Sequence, residues 1–326
     1  MKTVFIVNPN AGKKTKICEL VNDIKNTALE SNSDVEIYIT KSVGDATDFV
    51  RNYCVQNGPA RFIACGGDGT LSEVADGAVG FDDVEIGVIP KGTGNDFCRN
   101  FNNRENFGNI LYQLQGKTVK CDAIRYETEV DGKIKSGYCV NMFNIGFDCN
   151  VADKTDEIKA KTFLSGSLAY FAAIFVTLVK KQCSHLKIET DGKVKHDGKL
   201  LLTSLANGCF CGGGIKSNPY AEVNDGLINI NVIKNVSRLK FISLLPHYMK
   251  GTVFGVKNIE KYISTEKCKE IIVSPCNHKK IRLCVDGEII DAGKTRFEIV
   301  HDAFDFVVPC EMNDGEKADK AYALVN

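Results

Sequence analysis

The stretch Arg61-Phe-Ile-Ala-Cys-Gly-Gly-Asp-Gly-Thr-Leu-Ser-Glu73 decides how this chain is read. Residues 62–65 are a short apolar run, which reads as a buried strand. Gly66, Gly67, Asp68, Gly69 and Thr70 break that run, and a helical pattern follows from Leu71 and Ser72 through Val74 and Ala75. Strand, glycine-rich turn, helix is a geometry in which backbone N–H groups and a helix N-terminus face a phosphate. A Cβ in such a turn would block the ligand or forbid the required φ. The expected ligand is a nucleotide polyphosphate.

The sequence on either side repeats the theme. Residues 4–7 read as a buried strand, and Ile17, Leu20, Val21, Ile24 and Ala28 recur at helical spacing. Val35, Ile37 and Ile39 alternate as a strand; Ala46, Phe49, Val50 and Tyr53 make a helix face. Val84, Ile86 and Val88 give the next strand, and Phe107, Ile110, Leu111 and Leu114 the next helix. Alternating strands and helices imply a doubly wound, Rossmann-like parallel sheet, whose ligands bind beyond the carboxyl ends of the strands. Two further loops lie at such ends. Asn8-Pro9-Asn10-Ala11-Gly12-Lys13 follows the first strand, with small residues for close backbone approach and a lysine for charge. It is not a P-loop, which needs Gly-x-x-x-x-Gly-Lys-Ser/Thr. Pro90-Lys91-Gly92-Thr93-Gly94-Asn95-Asp96-Phe97 follows another strand. Lys91 can neutralise charge and Thr93 can hydrogen-bond a phosphate or ribose. Asn95 and Asp96 suit a metal's water shell, an acceptor hydroxyl or a helix cap.

After about residue 121 the texture changes. Asp-Gly pairs occur at 131–132, 191–192, 197–198, 225–226 and 286–287, between alternating segments at 186–190, 227–233, 281–285 and 297–300. These read as antiparallel strands joined by tight turns, interrupted by helical patterns at 157–181 and 237–253. The expected organisation is an α/β nucleotide-binding domain over 1–121 and a mainly antiparallel β-sandwich domain over 122–310. The tail 311–326 reads as a closing helix packed back on the first domain, or as a frayed end.

Bulk composition narrows the class. The 326 residues suffice for two domains, and 44% hydrophobic with 25% charged residues is ordinary for a globular protein. Lys+Arg and Asp+Glu both number 41, so the charge balance calls for no nucleic acid. The first apolar run is too short for a signal peptide. The 14 cysteines are scattered without a Cys-x-x-Cys pair and read as reduced, mostly buried thiols of a cytosolic protein. Residues 162–179 are uncharged but diluted by Thr162, Ser165, Gly166, Ser167 and Thr177, so they read as a buried or membrane-touching helix rather than a span.

The three loops, in this order and spacing, resemble the nucleotide-site motifs of the diacylglycerol kinase catalytic-domain superfamily. That group includes soluble bacterial diacylglycerol kinases and YegS-like lipid kinases. The resemblance runs over nearly the whole chain. Thr40 with Gly44-Asp45-Ala46 is similar to a family segment whose threonine touches the nucleotide. Asn144-Ile-Gly146-Phe-Asp148, Asn207-Gly208 and Gly212-Gly213-Gly214 are similar to later family segments. Pro219-x-Ala221-Glu222-Val223-Asn224-Asp225-Gly226 resembles a Pro-x-Ala-x-x-Asp-Asp-Gly stretch that carries a structural magnesium ion in the soluble bacterial members. The implied ligands are Glu222, Asp225 and the carbonyl of Leu227. Asn224 departs from the family's acid. Val285-Asp286-Gly287-Glu288 is similar to the segment that supplies the family's proton acceptor. On this chain Glu288 is the expected base, with Asp286 positioning the acceptor or a metal.

The resemblance implies transfer of the γ-phosphoryl of ATP to a lipid hydroxyl, most simply that of diacylglycerol, giving phosphatidic acid. Asp68 would act through Mg²⁺ and water, and domain closure would complete the site. The apolar segments 163–179 and 241–254 suit a lipid entrance or a bilayer surface. The expected partner is therefore a lipid at a membrane surface, met by a cytoplasmic protein that associates peripherally; the resemblance also allows a homodimer. Two other readings stay open. One is an NAD kinase, which also carries Gly-Gly-Asp-Gly-Thr after a strand. The other is a nucleotide-binding regulator without catalysis, against which Asp68, Asp286 and Glu288 argue. No motif marks the acceptor pocket.

Overall fold

The structure, a computed structural model, describes residues 1–12, 17–146, 183–276 and 280–309. The chain divides into two compact units, one made of Met1–Ala123 and His301–Asn326, the other of Ile124–Val300.

The first unit is built on β1 (Thr3–Val7), α1 (Ile17–Glu30), β2 (Val35–Ile39), α2 (Asp45–Asn57), β3 (Arg61–Gly66), α3 (Asp68–Ala78), β4 (Glu85–Pro90) and α4 (Ile110–Gln115). β1 pairs in parallel with β2 and β3, and β3 with β4. The first four residues of the apolar run in β3, with all of β1, are buried; Leu20 and Ile24 of α1 pack on that surface. β15 (Thr295–Val308) begins in the second unit, and its last residues return to the first, where Asp305 and Phe306 pair in parallel with Glu85 and Ile86 of β4. The sheet therefore runs β15-β4-β3-β1-β2.

Arg61 anchors the far end of the deciding strand. Its guanidinium bonds Glu85 at 2.5 Å and donates to the carbonyls of Gln113, Leu114 and Gly116 at the end of α4. A cation there complements the orphan carbonyls of a helix C-terminus. α4 is shorter than its apolar spacing predicts. Phe107 lies in a separate 3-10 turn, Arg104–Gly108, and α4 starts only after Asn109, whose side chain caps the Tyr112 N–H at 3.2 Å. Phe107 instead joins Phe97, Phe101 and Phe306 in a buried aromatic cluster.

The second unit contains β6 (Lys133–Cys139), β7 (Met142–Gly146), β8 (Ser184–Thr190), β9 (Lys193–Ala206), β10 (Ile228–Lys234), α5 (Arg238–Met249), β11 (Ile263–Cys268), β12 (Glu270–Pro275), β13 (Ile281–Val285) and β14 (Glu288–Ala292); β5 (Lys117–Val130) runs into it from the first unit. Within it the strands pair antiparallel in the order β14-β13-β7-β9-β8-β12-β15, with β10 on β9 and β11 on β10. Phe143, Leu186, Leu205, Ile228, Ile271 and Phe297 fill a common core. Ser237 caps α5 through the Lys240 N–H, and Leu244 joins Leu201, Leu202 and Val236 beneath it.

The Asp-Gly pairs at 131–132, 191–192 and 286–287 form hairpin turns, as predicted. Asp286 (φ 45°) and Gly287 (φ 99°) both take positive φ, as a two-residue turn matched to strand twist requires. Asp197-Gly198 does not turn. It lies inside β9, where Asp197 faces Lys187 and Gly198 faces Leu186 of β8. The helical pattern at 157–181, the uncharged run at 162–179 and the tail 311–326 lie outside the described residues. No helix among the described residues is long and apolar enough to cross a membrane. The twelve described cysteines are free thiols, eight of them buried.

Candidate active site

β1, β3 and β4 are neighbours in one parallel sheet, so the loops that follow them lie side by side at one sheet edge. Their mutual bonds show a single built structure. The Asn8 side-chain amide donates to Thr70 Oγ1 at 3.0 Å, tying the first loop to the second. Asn8 Oδ1 accepts the Asn10 N–H, and the Ala11 N–H bonds the Asn8 carbonyl, so the first loop is a local turn. The Lys91 N–H bonds the Gly66 carbonyl at 2.7 Å, and a Cβ built on Gly92 would meet the Gly67 Cα at 2.5 Å. Only two glycines allow the second and third loops to touch backbone to backbone. Thr70 Oγ1 similarly lies where a Cβ of Gly66 would be.

Asp68 organises this edge. Its Oδ2 accepts the Asn95 N–H and its Oδ1 the Asp96 N–H, both at 2.7 Å. Burial pushes its carboxyl above the ordinary aspartate range, while N–H donors from Asp96, Asn95 and Phe97 pull the other way. The N-cap position of α3 is Gly67, which offers no side-chain cap. The first turn of this eleven-residue helix thus has amides left for an anion. Lys91 and Thr93 are exposed, and Pro9, Ala11, Gly69 and Ser72 are half-buried. Thr40 follows β2 at the same edge, with its N–H on the Val7 carbonyl at 3.0 Å.

Three of the residues expected at the ligand make contacts within the protein. Leu71 turns its side chain into the core, and its N–H bonds the Gly67 carbonyl at 3.2 Å. Asn95 folds onto its own loop: Oδ1 accepts the Gly92 N–H and Nδ2 donates to the Gly92 carbonyl. Asp96 is buried and pairs with Arg99 at 3.1 Å. These contacts help build the loop. Lys13 lies outside the described residues.

The second motif region centres on Asp286. Its Oδ1 accepts the N–H of Asn141 at 3.2 Å and of Met142 at 2.8 Å, and its Oδ2 that of Val140 at 3.0 Å. The Cys139 thiol donates to Oδ1 at 3.0 Å. Burial, then the Asp286 charge, holds that thiol well above its usual pKa. Asn207 Nδ2 donates to the Val140 carbonyl, and Asn141 Nδ2 to the Phe210 carbonyl. The carboxylate thus pins the β6–β7 turn to the β13–β14 hairpin. Glu288 opens β14 and is exposed. Sequence reasoning missed Cys139, Val140, Asn141 and Met142. Three of the bonds are to backbone, which leaves no side-chain signal.

The expected magnesium ligands do not fit the ion. Lys267 Nζ lies 2.6 Å from Glu222 Oε1 and 2.6 Å from Asp225 Oδ2, and Asp225 Oδ1 accepts the Leu227 N–H at 3.0 Å. An ammonium already bridges the two carboxylates.

Comparison with known proteins agrees with this architecture. Residues 2–126 match the diacylglycerol kinase catalytic domain, and residues 141–308 match the YegS C-terminal NAD kinase beta sandwich-like domain. A diacylglycerol kinase of Bacillus subtilis (strain 168) is 26% identical over 292 residues, covering 87% of this chain and 88% of that one. One from Staphylococcus carnosus (strain TM300) is 29% identical over 289 residues, covering 87% of each. A crystal structure of a diacylglycerol kinase from Bacillus anthracis str. Sterne has the same fold, with a TM-score of 0.67 at 22% identity over 94% of this chain and 96% of that one. An α/β unit with three motif loops, followed by a β-sandwich-like unit, defines a two-domain kinase of the lipid-kinase class. The chain belongs to the diacylglycerol kinase-like YegS family.

Proposed function

We propose that this chain transfers the γ-phosphoryl group of ATP to a lipid hydroxyl, with diacylglycerol as the first acceptor to test. The observation that carries the reading is the loop assembly around Asp68. Phosphoryl transfer needs in-line positioning and neutralised charge more than covalent participation. The uncapped start of α3, the glycine contact between the second and third loops, and Lys91 supply donors and positive charge for a polyphosphate. Bound magnesium would neutralise the β- and γ-oxygens. The Asp68 carboxylate accepts the Asn95 and Asp96 amides, one on each oxygen, and its remaining lone-pair capacity suits a water of that ion's shell.

Glu288 is the base that takes the acceptor's proton. Asp286 is surrounded by four donors, while Glu288, two residues on, is exposed. A carboxylate whose oxygens already hold four donors is poorly placed to reach an acceptor's proton, which favours its neighbour.

A membrane surface is the proposed partner. Leu239 and Ile242 of α5 are 82% and 45% exposed. From residue 226 to 259 the sequence has Lys234, Arg238, Lys240, Lys250 and Lys257 but no acid. Exposed aliphatics in a stretch whose formal charges are all positive suit an anionic bilayer, so a cytoplasmic enzyme would bind it peripherally.

The direct test supplies ATP, Mg²⁺ and diacylglycerol in mixed micelles, with NAD as a parallel acceptor. Phosphatidic acid without NADP is expected. NADP formation would replace this reading with the NAD kinase one, and tight ATP binding without turnover on any lipid would favour the silent regulator.

A further inference from the structure

The 219–227 segment of the second unit is where the family pattern and this chain part. The pattern places two adjacent acids before a glycine, in a stretch that carries a structural divalent cation. This chain has Asn224, Asp225 and Gly226. It also has Lys267 on β11, directly opposite Asn229 of β10 in the strand register. From that fixed position the side chain reaches back to the turn, and its ammonium touches Glu222 and Asp225 at 2.6 Å each. Lys267 and Asp225 are largely sheltered, with side chains 28% and 18% exposed.

Asn224 in place of an acid removes one negative charge from the turn, and an ammonium carries one positive charge fewer than a dication. The ammonium has the right chemistry for the exchange, being a compact point charge whose three donors can bridge separate carboxylates. Magnesium would need near-octahedral oxygen ligation, and the oxygens that face it are already held by Lys267.

We infer that Lys267 takes the place of the family's structural magnesium, so that this turn is closed by an internal ammonium and binds no divalent cation. The magnesium requirement of the enzyme then resides with the nucleotide alone. The inference rests on the Glu222–Lys267–Asp225 geometry and stands whichever lipid, or none, is the acceptor.

The test uses the full chain without nucleotide. Thermal melting is followed in Mg²⁺ and in EDTA, and Mn²⁺ binding is titrated as a spectroscopic probe of the site. The wild-type chain is expected to melt at the same temperature in both buffers and to bind no Mn²⁺ stoichiometrically. Lys267→Met, which keeps length and removes charge, is expected to melt roughly 2–4 °C lower in EDTA. It should recover in Mg²⁺, and Lys267→Met with Asn224→Asp should bind Mn²⁺ more tightly still. One Mn²⁺ per wild-type chain, or a wild-type melt lowered by EDTA, would overturn the inference. So would a Lys267→Met melt equal to wild type in EDTA. If Lys267→Met does not fold, the two wild-type measurements decide the matter.

Discussion

Asp68 and Asp286 look alike in sequence and do related things in different surroundings. Each carboxylate accepts consecutive backbone N–H groups from a loop that is distant in sequence: residues 95 and 96 for Asp68, residues 140–142 for Asp286. Asp68 does so at the start of a helix whose N-cap is glycine, beside exposed Lys91 and Thr93. Asp286 does so in a closed setting, with a buried thiol on the same oxygen as two of the amides. The lesson is that a motif carboxylate can build the site while its neighbour does the chemistry. In the function proposed above, Asp68 would combine both tasks, and in the second unit they would be divided between Asp286 and Glu288.

The largest expected effect is at Asp68. Asp68→Ala removes the acceptor of two loop amides and the carboxylate at the proposed nucleotide site, so turnover should fall by about 10³-fold or more in a kinase assay. Asp68 also sets a pH dependence. Its folded-state pKa is raised by burial, so the folded chain holds this proton more tightly than the unfolded one. The ionised form therefore costs stability as pH rises through the folded pKa, and that cost is absent below the unfolded value. Turnover runs the opposite way, because protonation removes the negative charge that Asp68 brings to the proposed nucleotide site. Its acid limb should lie above the ordinary aspartate range.

Glu288→Gln comes next and separates the two roles in the second unit. It should lower kcat by roughly 10²–10⁴-fold and leave thermal melting unchanged. Asp286→Asn should show the converse. Asparagine keeps one acceptor oxygen and points an N–H₂ group at a neighbouring donor, so chemical denaturation should report a loss of about 1–3 kcal/mol. Turnover below the lowered melting temperature should survive. A variant pair with these outcomes exchanged would break the comparison. The smallest effect belongs to α5. Leu239→Glu with Ile242→Glu should weaken binding to phosphatidylglycerol vesicles roughly tenfold in sedimentation, with turnover on a water-soluble short-chain acceptor unchanged.

Much of this was legible in the sequence because it is local. Residues 62–65 carry a strand pattern, and glycines punctuate it. Three such strand ends in an alternating chain place three loops on one edge. The Asp-Gly pairs at 131, 191 and 286 are turn signals whose cause is the backbone itself. Asp197-Gly198 has the same letters, yet it sits in β9, because pairing with β8 overrides a dipeptide's preference. α4 is shortened by a side-chain cap at Asn109, which no apolar periodicity reveals. What fixes Asp286 comes from residues 139–142, mostly through backbone N–H groups, and Lys267 meets partners 42 and 45 positions away. Neither is a pattern along the chain. The Asn224 departure marked where to look, but not that a lysine from another strand had taken the cation's place.

The central claim is phosphoryl transfer to a lipid, and the most direct measurement follows the phosphate. The wild-type chain and Asp68→Ala would each be incubated with γ-labelled ATP, Mg²⁺ and a total lipid extract, and the organic phase resolved and identified. The expected result is a labelled lipid phosphate formed by the wild-type chain and absent with Asp68→Ala. Label confined to the aqueous phase with the wild-type chain, or equal lipid labelling by Asp68→Ala, would contradict the account.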